Sequence, residues 1–516
     1  MDGENTVSVP ELQPTQLLRD VVISKIVPSS VTEHPKAFDP CIYDLNTFDS
    51  YVTVLYLYKL EDARPSTFAQ FVDVVKVSLS RVLTLYFPLA GKWVVTEDAS
   101  LRKLICNDEG AVFVQAAVDD QMRRFFNPAD FKPPGELIGE FAVPGFVVAD
   151  VHKTPENKEW PCLIVQLSIF GAELQFRNAD MVRIARMVNG QVTSFRCAGV
   201  CLAVSWNHMT MDGFAFDRFI KAWWEIADTG QTSVEPSFER SFAPSVSDKA
   251  RVLGIALDMK NVGDALSKRF RNFPSSSAAQ FPVVNKLINV QMASVERLRQ
   301  TAREDRDAGP LQRHERLTTF ECISTQIWRC FARLCRDEDD LIHLRFTVEC
   351  RKKCRVPPIA DDFAGNMYLF IGPPASTGRE VLDKSFTRGA CEIHEVVNSV
   401  TPASVASLLD NQFKSIDAMA SVVNEEFPNS HSAAKSLLPV TITSWSHFDN
   451  FYKLDFGFGP PILSAPCSLF NVVNDPVVYL LPHDPNSVDA APILLRASPT
   501  IHALLSRDPE FLDLIS

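Results

Sequence analysis

The chain has 516 residues, of which 46% are hydrophobic and 22% are charged, and its formal net charge is -12. This is the composition of an ordinary globular protein, and the length is sufficient for two or more domains with proper cores. The acidic balance argues against a nucleic-acid-binding protein, which needs a basic face. Because no apolar run approaches the ~20 residues that cross a bilayer, we expect no transmembrane segment.

The cysteines indicate a reducing compartment. Twelve are scattered along the chain, and the close pairs Cys330/Cys335 and Cys350/Cys354 lack the companion ligands of a zinc site. We therefore expect no metal and interpret the cysteines as reduced thiols. The N-terminal segment has no basic region followed by an apolar run, so no signal peptide is predicted. These features predict a soluble cytoplasmic protein.

Strand-like and helix-like segments alternate along the chain, which predicts a mixed α/β class. Residues 17–26 and 51–58 are predicted strands, and residues 68–85 form a predicted helix that ends before Pro88, because proline cannot continue a helix. Residues 229–249 are rich in Ser and Pro and form a predicted crossover linker. This linker divides the chain into an N-terminal domain, 1–228, and a C-terminal domain, 250–516.

A strand, a short loop and a helix surround His208. Residues 200–206 alternate as a strand does, and from Gly213 the apolar residues recur at helical spacing, with Gly230 at a C-cap position. His208 lies at the strand end, where loops commonly carry catalytic groups. It is either a general base or a buried, hydrogen-bonded histidine. Asp212 is the predicted N-cap of the helix.

A second motif, Asp455-Phe456-Gly457-Phe458-Gly459, contains the Asp-Phe-Gly of protein kinases. A kinase also needs a glycine-rich loop, a strand lysine and an HRD loop upstream. The sequence has none of these, so the kinase interpretation is rejected.

Together, His208-x-x-x-Asp212-Gly213 and the motif at 455–459 resemble the plant BAHD acyltransferases. Four further segments match motifs of this family in the right order: residues 85–92, residues 106–114, residues 318–321 with Trp328-Arg329, and residues 442–445. No single short motif is decisive, but six in order over most of the chain identify it as a member of this family.

The resemblance implies two similar α/β domains, each a mixed sheet with flanking helices, joined by a crossover loop and separated by a channel with the histidine at its centre. An acyl-CoA is then the co-substrate, no cofactor is needed, and the other partner is a small alcohol or amine. His208 acts as general base on the acceptor, which attacks the thioester without a covalent acyl-enzyme. Members of the family usually act as monomers.

The resemblance also assigns roles to other residues. Thr443 and Trp445 match positions that line the site and help to hold the oxyanion; the alternative interpretation of Trp445 is a core aromatic. Asp212 is expected to point away from the substrate and to pair with a basic residue. Asp455, Phe456, Gly457 and Gly459 are expected to support the fold on the CoA side, away from the chemistry.

The chain departs from the family pattern at several places. Phe458 replaces a tryptophan, and Glu349 with Arg351 replaces an Asp–Arg pair. The largest departure is 25 extra residues, 167–191, which we interpret as a surface loop or a retained intron; an insertion that broke the strand would also misplace His208. Residues 429–436 contain His431 and Lys435 but no arginine, which argues against a shikimate or quinate acceptor.

The motifs are compatible with three functions. The leading hypothesis is an acyltransferase of the class that moves groups other than aminoacyl groups, with a hydroxycinnamoyl or another aromatic or aliphatic donor. The first alternative is a non-catalytic family member that assists lipid elongation, which the intact motifs disfavour. The second is a condensation domain of a peptide synthetase, which requires a second histidine at the position of Asn207.

Overall fold

The computed structural model describes a defined part of the chain. The described residues are 18–31, 37–45, 47, 51–60, 65–95, 102–118, 159–170, 199–240, 284–305, 317–335, 340–353, 359–403, 437–467, 476–483 and 489–516.

The first half of the described chain combines strands with two long helices. In chain order its elements are β1 (Leu18–Ile26), β2 (Ala37–Phe38), α1 (Ile42–Leu45), β3 (Tyr51–Lys59), α2 (Pro65–Leu85), β4 (Lys92–Val95), β5 (Arg102–Ile105), β6 (Ala111–Val118), β7 (Glu159–Pro161), β8 (Leu163–Phe170), β9 (Gly199–Asn207) and α3 (Gly213–Thr229).

The second half has a similar mixture. Its elements are β10 (Val284–Gln291), α4 (Met292–Glu304), α5 (Thr319–Ala332), β11 (Leu341–Glu349), β12 (Tyr368–Ile371), β13 (Ser376–Thr377), α6 (Gly378–Asp383), α7 (Phe386–Ser399), β14 (Leu437–Ser444), β15 (Leu463–Cys467), β16 (Val477–Leu480), β17 (Ala490–Ala497), α8 (Pro499–Leu505) and α9 (Pro509–Ile515). The mixed α/β class predicted from the sequence is confirmed.

The first large sheet has six strands in the order β1-β6-β8-β9-β3-β15. All nine residues of β9 are buried, because the strand lies between β3 and β8 and is covered on both faces. Helices α2 and α3 pack together on this sheet, and the Trp223 indole of α3 donates to Ser78 Oγ of α2 at 2.9 Å. The strand that precedes His208 is therefore held rigidly in the centre of the sheet.

The second large sheet has seven strands in the order β10-β17-β16-β14-β11-β12, with β13 also paired to β11. Side chains on one face, such as Ile342 and Ile442, form a core with the helices of this half. Side chains on the other face, such as Tyr479 and Leu494, join the core of the first half. One face of this sheet therefore lies against the half that carries His208. A smaller sheet has the order β2-β5-β4-β7.

Strand β15 crosses from the second half into the first sheet, where it pairs antiparallel with β3. Sequence patterns at residues 463–467 did not reveal this exchange, because a strand's partner is not encoded locally. The division at 229–249 remains a prediction, with the addition that one strand of the C-terminal half completes the N-terminal sheet.

The predicted elements are confirmed with small shifts at their ends. Strands β1, β3 and β9 match the predicted segments, and α2 starts at Pro65 rather than residue 68, since proline is tolerated in the first turn of a helix. Gly230 is the C-cap of α3 in the left-handed conformation, with φ of 79°. Among the described residues, no helix is both long enough and apolar enough to cross a membrane.

The inserted segment does not break the strand before His208. Its first four residues, Leu167 to Phe170, are the end of β8 rather than a surface loop, and β8 keeps one register with β9 from Leu163↔Trp206 to Ile169↔Val200. The physical reason is that Leu-Ser-Ile-Phe continues the period-two pattern of β8, in the place where Val-Thr-Ser-Phe at 192–195 stands in the family pattern. Residues 171–191 lie outside the described part of the chain.

Two deletions of equal length test whether these tetrapeptides are interchangeable. Removing residues 167–191 puts 192–195 in the place of Leu167–Phe170, whereas removing 171–195 keeps Leu167–Phe170; both leave residues 196–198 as the connection to β9. We expect both variants to fold and to gain roughly 1–2 kcal/mol in free energy of unfolding, because the closed loop is shorter. Denaturant titration measures this gain. Loss of cooperative unfolding in both would show that the insertion is required.

Candidate active site

The His208 loop is held by the residues on both sides of it. The Asn207 side chain accepts a hydrogen bond from the Met209 amide at 3.0 Å, and the Trp206 indole donates to the Met211 carbonyl at 2.9 Å. The Trp93 indole donates to Thr210 Oγ1 at 2.9 Å. Asn207, which occupies the position of a second histidine in condensation domains, therefore shapes the loop.

His208 itself is half-buried, with its Nδ1 atom fully buried. Burial lowers the pKa of His208 below its usual value, although the polar groups of its own backbone, the charge of Asp212 and the nearby Asn366 amide act in the opposite direction. The imidazole is thus neutral at pH 7 and able to accept a proton. Because Nδ1 is buried, Nε2 is the nitrogen available to a substrate.

Asp212 is the N-cap residue of α3, as predicted, and accepts from the Ala215 amide at 2.9 Å. Its carboxylate also forms a two-pronged ion pair with Arg351, at 2.9 and 3.0 Å, in which both side chains are buried. The expected basic partner of Asp212 is therefore Arg351, which comes from the end of β11 in the second half.

Arg351 is fully engaged around this ion pair. It pairs with Glu349 at 3.1 Å, so the longer glutamate at this position still reaches it. Its Nε donates to the Phe363 carbonyl and its NH2 group to the Gly365 carbonyl. Asp212 thus joins the two halves beside His208, and this geometry suits the structural role expected for it.

Gly213 permits a close approach of the second half. A Cβ atom built at Gly213 would lie 3.0 Å from Phe448 Cζ and 3.3 Å from Trp445 Nε1. A larger residue would push these rings away from the start of α3. Trp445, which follows β14, is therefore brought to the residue next to Asp212.

Thr443 lies on β14, two residues before Trp445, and its hydroxyl group is 2.9 Å from the hydroxyl of Thr347 on β11. Both threonines are on the face of the second sheet opposite to Ile442, which belongs to the core of that half. The structure therefore places Thr443 on the side that faces the first half. A role for Thr443 or Trp445 in holding an oxyanion stays a prediction.

The motif at 455–459 forms a tight loop. Asp455 Oδ1 accepts hydrogen bonds from the amides of Gly457, Phe458 and Gly459 at 2.8, 3.1 and 3.0 Å. Gly457 and Gly459 have φ of 83° and 94°, which other residues rarely adopt. Asp455 therefore fixes the loop from within.

The aromatic residues of this loop pack on the first half. Phe456 is buried against Trp223 of α3 and Phe71 of α2, at ring distances of 5.5 Å in each case. Phe458 is 5.4 Å from Phe71, so phenylalanine fills this position. Trp223 is ten residues after Gly213, or about 15 Å along the helix. This separation fits the expectation that the loop supports the fold away from His208.

Sequence patterns missed Asn366, which lies near His208, and the two charged residues behind it. Asn366 is fully buried and donates from Nδ2 to Asp44 at 3.1 Å, and Asp44 pairs with Arg240 at 2.9 Å. These residues are separated from one another by 196 and 322 positions along the chain, so no local spacing signals their meeting. Residues 429–436, considered for acceptor binding, lie outside the described residues.

Within the described chain, no group of three or more His, Cys, Asp or Glu side chains could hold a metal ion. The groups at the site are a neutral imidazole, buried ion pairs and aromatic rings. This set supplies proton transfer and binding surface.

Two solved structures share this fold. Vinorine synthase matches with a TM-score of 0.59 and 19% identity, over 97% of this chain and 98% of that one. The TRI101 protein of F. sporotrichioides, solved with coenzyme A and T-2, matches with a TM-score of 0.59 and 17% identity, over 93% of this chain and 98% of that one. The two-domain α/β fold expected from the sequence is therefore confirmed.

The particular family follows from the sequence comparison. The model of the Transferase family matches residues 22–172 and 174–498, with its break at the inserted segment. The chain belongs to this family and is a BAHD acyltransferase.

Relatives are distant but extend over most of the chain. The omega-hydroxypalmitate O-feruloyl transferase of Arabidopsis thaliana is 24% identical over 83% of this chain and 80% of its own length. The agmatine hydroxycinnamoyltransferase 1 of Oryza sativa subsp. japonica is 26% identical over 83% of this chain and 84% of its own length.

Proposed function

We propose that the protein transfers an acyl group from an acyl-CoA to the hydroxyl or amine of a small molecule, with His208 as the general base. The observation that carries this proposal is the placement of His208 between the two halves. It lies on a rigid loop and is half-buried, with a lowered pKa and Nε2 available to a substrate. A neutral imidazole in such a place can remove a proton at pH 7.

The proposed reaction has two steps. His208 Nε2 takes the proton of the acceptor hydroxyl or amine while the acceptor oxygen or nitrogen attacks the thioester carbonyl. The tetrahedral oxyanion then collapses, the carbon–sulfur bond breaks, and the CoA thiolate leaves and regains the proton from the imidazolium. No covalent acyl-enzyme forms. Thr443 and Trp445 are proposed to line the site and to help hold the oxyanion.

The relatives suggest the substrate classes. Their names include feruloyl, hydroxycinnamoyl, caffeoyl and benzoyl transfer, and their acceptors include a fatty alcohol and agmatine. We propose a hydroxycinnamoyl or another aromatic or aliphatic donor and an alcohol or amine acceptor. We found no observation that supports a non-catalytic accessory role.

We propose a cytoplasmic monomer that uses acyl-CoA as co-substrate and needs no cofactor. Nine cysteines within the described residues are not in disulfides, which suits a reducing compartment. Burial raises the pKa of the Cys322 thiol to about 12, so this group is unreactive at neutral pH.

Thiol release tests the proposal directly. The full chain is mixed with feruloyl-, caffeoyl-, benzoyl- or acetyl-CoA and with pooled alcohols or amines, and free CoA is measured with a thiol reagent. Release that requires both an acceptor and His208 would support the transferase. No release from folded protein with any pair would contradict it.

The pH profile tests the role of the imidazole. With an alcohol acceptor, which does not titrate near neutrality, kcat/KM is expected to be constant around pH 7 and to fall as pH decreases through the pKa of His208. Because burial lowers that pKa, the midpoint should lie below the usual ~6.5. Initial rates from about pH 4.5 to 8.5 measure it. A midpoint above that usual value would contradict the assignment.

A further inference from the structure

Two unsatisfied polar atoms are buried at the His208 loop. Neither Nδ1 of His208 nor Oδ1 of Asn366 has a hydrogen-bond partner among the described residues, and Asn366 is 0% exposed. A buried polar atom without a partner costs free energy, so nearly all such atoms in proteins are paired. One of these atoms can be a donor and the other is an acceptor.

The segment that carries Asn366 borders the His208 loop on both sides of this residue. The Asp212 amide donates to the Gly365 carbonyl at 3.5 Å, and the Met367 amide donates to Asp212 Oδ2 at 2.8 Å. The Tyr368 ring is 5.7 Å from the imidazole of His208. The Asn366 side chain is close enough to the imidazole to raise the pKa of His208.

The orientation of the Asn366 amide is set by its other neighbour. Its Nδ2 donates to Asp44 Oδ1 at 3.1 Å, and Asp44 is fully buried and paired with Arg240. An ionised carboxylate only accepts hydrogen bonds, so the NH2 end of the amide must face Asp44. Oδ1 is consequently directed away from Asp44 and requires a donor.

We propose that Asn366 is a positioning residue whose Oδ1 accepts the Nδ1 proton of His208, which leaves Nε2 unprotonated toward the acceptor. Arg240, Asp44 and Asn366 then form a fixed chain behind the imidazole. Catalytic hydrogen bonds are often long in ligand-free proteins and tighten when substrate binds. The catalytic consequence rests on the proposed function, whereas the tautomer of His208 does not.

The other groups around His208 do not replace this acceptor. Asp212 raises the pKa of His208 through its charge, but its oxygens are occupied by Arg351 and by the amides of Ala215 and Met367. Burial raises the pKa of Tyr368, so its phenol stays neutral. The backbone of His208 is the one competing acceptor among the groups that raise its pKa, and the experiment below separates it from Asn366.

Histidine NMR on the full chain, without substrate, is the decisive measurement. The protein is labelled with ¹⁵N-histidine, and the His208 signal is identified by its loss in His208→Gln. We expect the Nδ1–H tautomer in the wild type and a shift toward Nε2–H in Asn366→Ala, with a lower titration midpoint of His208. The control is Gln326→Ala, which removes a buried amide bonded to Glu510 in the second half and should change neither reading.

Steady-state kinetics of Asn366→Ala provide a second measurement. Asn366→Ala should lower kcat roughly tenfold, the value of one net hydrogen bond, with little change in KM. Should Asn366→Ala not fold, the double variant Asn366→Asp with Asp44→Asn keeps an amide facing a carboxylate and an oxygen toward His208, so it should keep the Nδ1–H tautomer and raise the midpoint. An unchanged tautomer and midpoint in folded Asn366→Ala, or an Nε2–H tautomer in the wild type or in the double variant, would overturn the proposal. A tautomer shift without any acyl transfer would instead count against the proposed function alone.

Discussion

Replacing His208 with alanine is expected to lower kcat by about two to four orders of magnitude, because this is the usual contribution of a general base. The KM for acyl-CoA should change little, since the imidazole acts on the acceptor proton rather than on the thioester. The fold should survive, because His208 is half-buried and its loop is held by Asn207, Trp206 and Trp93. Steady-state rates with the best donor and acceptor of the thiol-release panel measure the loss.

A second histidine provides the control. His394 lies on α7 and is 2.7 Å from Glu321 of α5, within the second half. His394→Ala removes an imidazole and its contact with Glu321 but no proton acceptor at the proposed site, so kcat should remain within about twofold of the wild type. Equal losses in the two variants, or a loss of less than about tenfold in folded His208→Ala, would argue against general-base catalysis.

The elements that adjoin His208 in the sequence could be predicted from it. Strand alternation in residues 200–206 and helical spacing after Gly213 place a loop at His208, and β9 and α3 have these bounds to within one or two residues. Asp212 as N-cap and Gly230 as C-cap follow from residue type and position.

The contacts that complete the site were not predictable from spacing. Asp212 and Arg351 are 139 positions apart in the chain, and Asn366 and its partner Asp44 are 322 positions apart. Such pairs depend on how the two sheets pack, and acidic and basic residues are too common for a sequence to single out a pair. The resemblance to acyltransferases supplied the expectation of a basic partner for Asp212 but not its identity.

The inserted segment shows a second limit of prediction from the sequence. Residues 167–191 interrupt the family pattern, yet β8 continues through Phe170 because the inserted residues alternate as a strand does. A strand requires only the alternation and a partner of matching register. The pattern could therefore locate the extra residues but could not show where the strand ends within them.

Asp212→Ala is expected to be the most damaging change to stability, at about 3–5 kcal/mol of the free energy of unfolding. Loss of the N-cap alone would cost ~1 kcal/mol. The larger part arises because Arg351 stays buried, with only Glu349 left as an ionic partner. Denaturant unfolding of the purified variant measures the loss, and Asp513→Ala, which breaks the exposed Asp513–Arg297 pair, should cost under about 1 kcal/mol.

Two further variants separate the cap from the ion pair. Asp212→Asn keeps a good N-cap acceptor but removes the charge, so it should recover only about 1 kcal/mol relative to alanine. Asp212→Ala combined with Arg351→Met removes the buried unpaired charge and should be less destabilised than the sum of the single changes. If the two single losses in free energy of unfolding simply add in the double variant, the Asp212–Arg351 ion pair contributes little to stability. Asp212→Asn that is as stable as the wild type but inactive would overturn the structural role and place Asp212 in the chemistry beside His208.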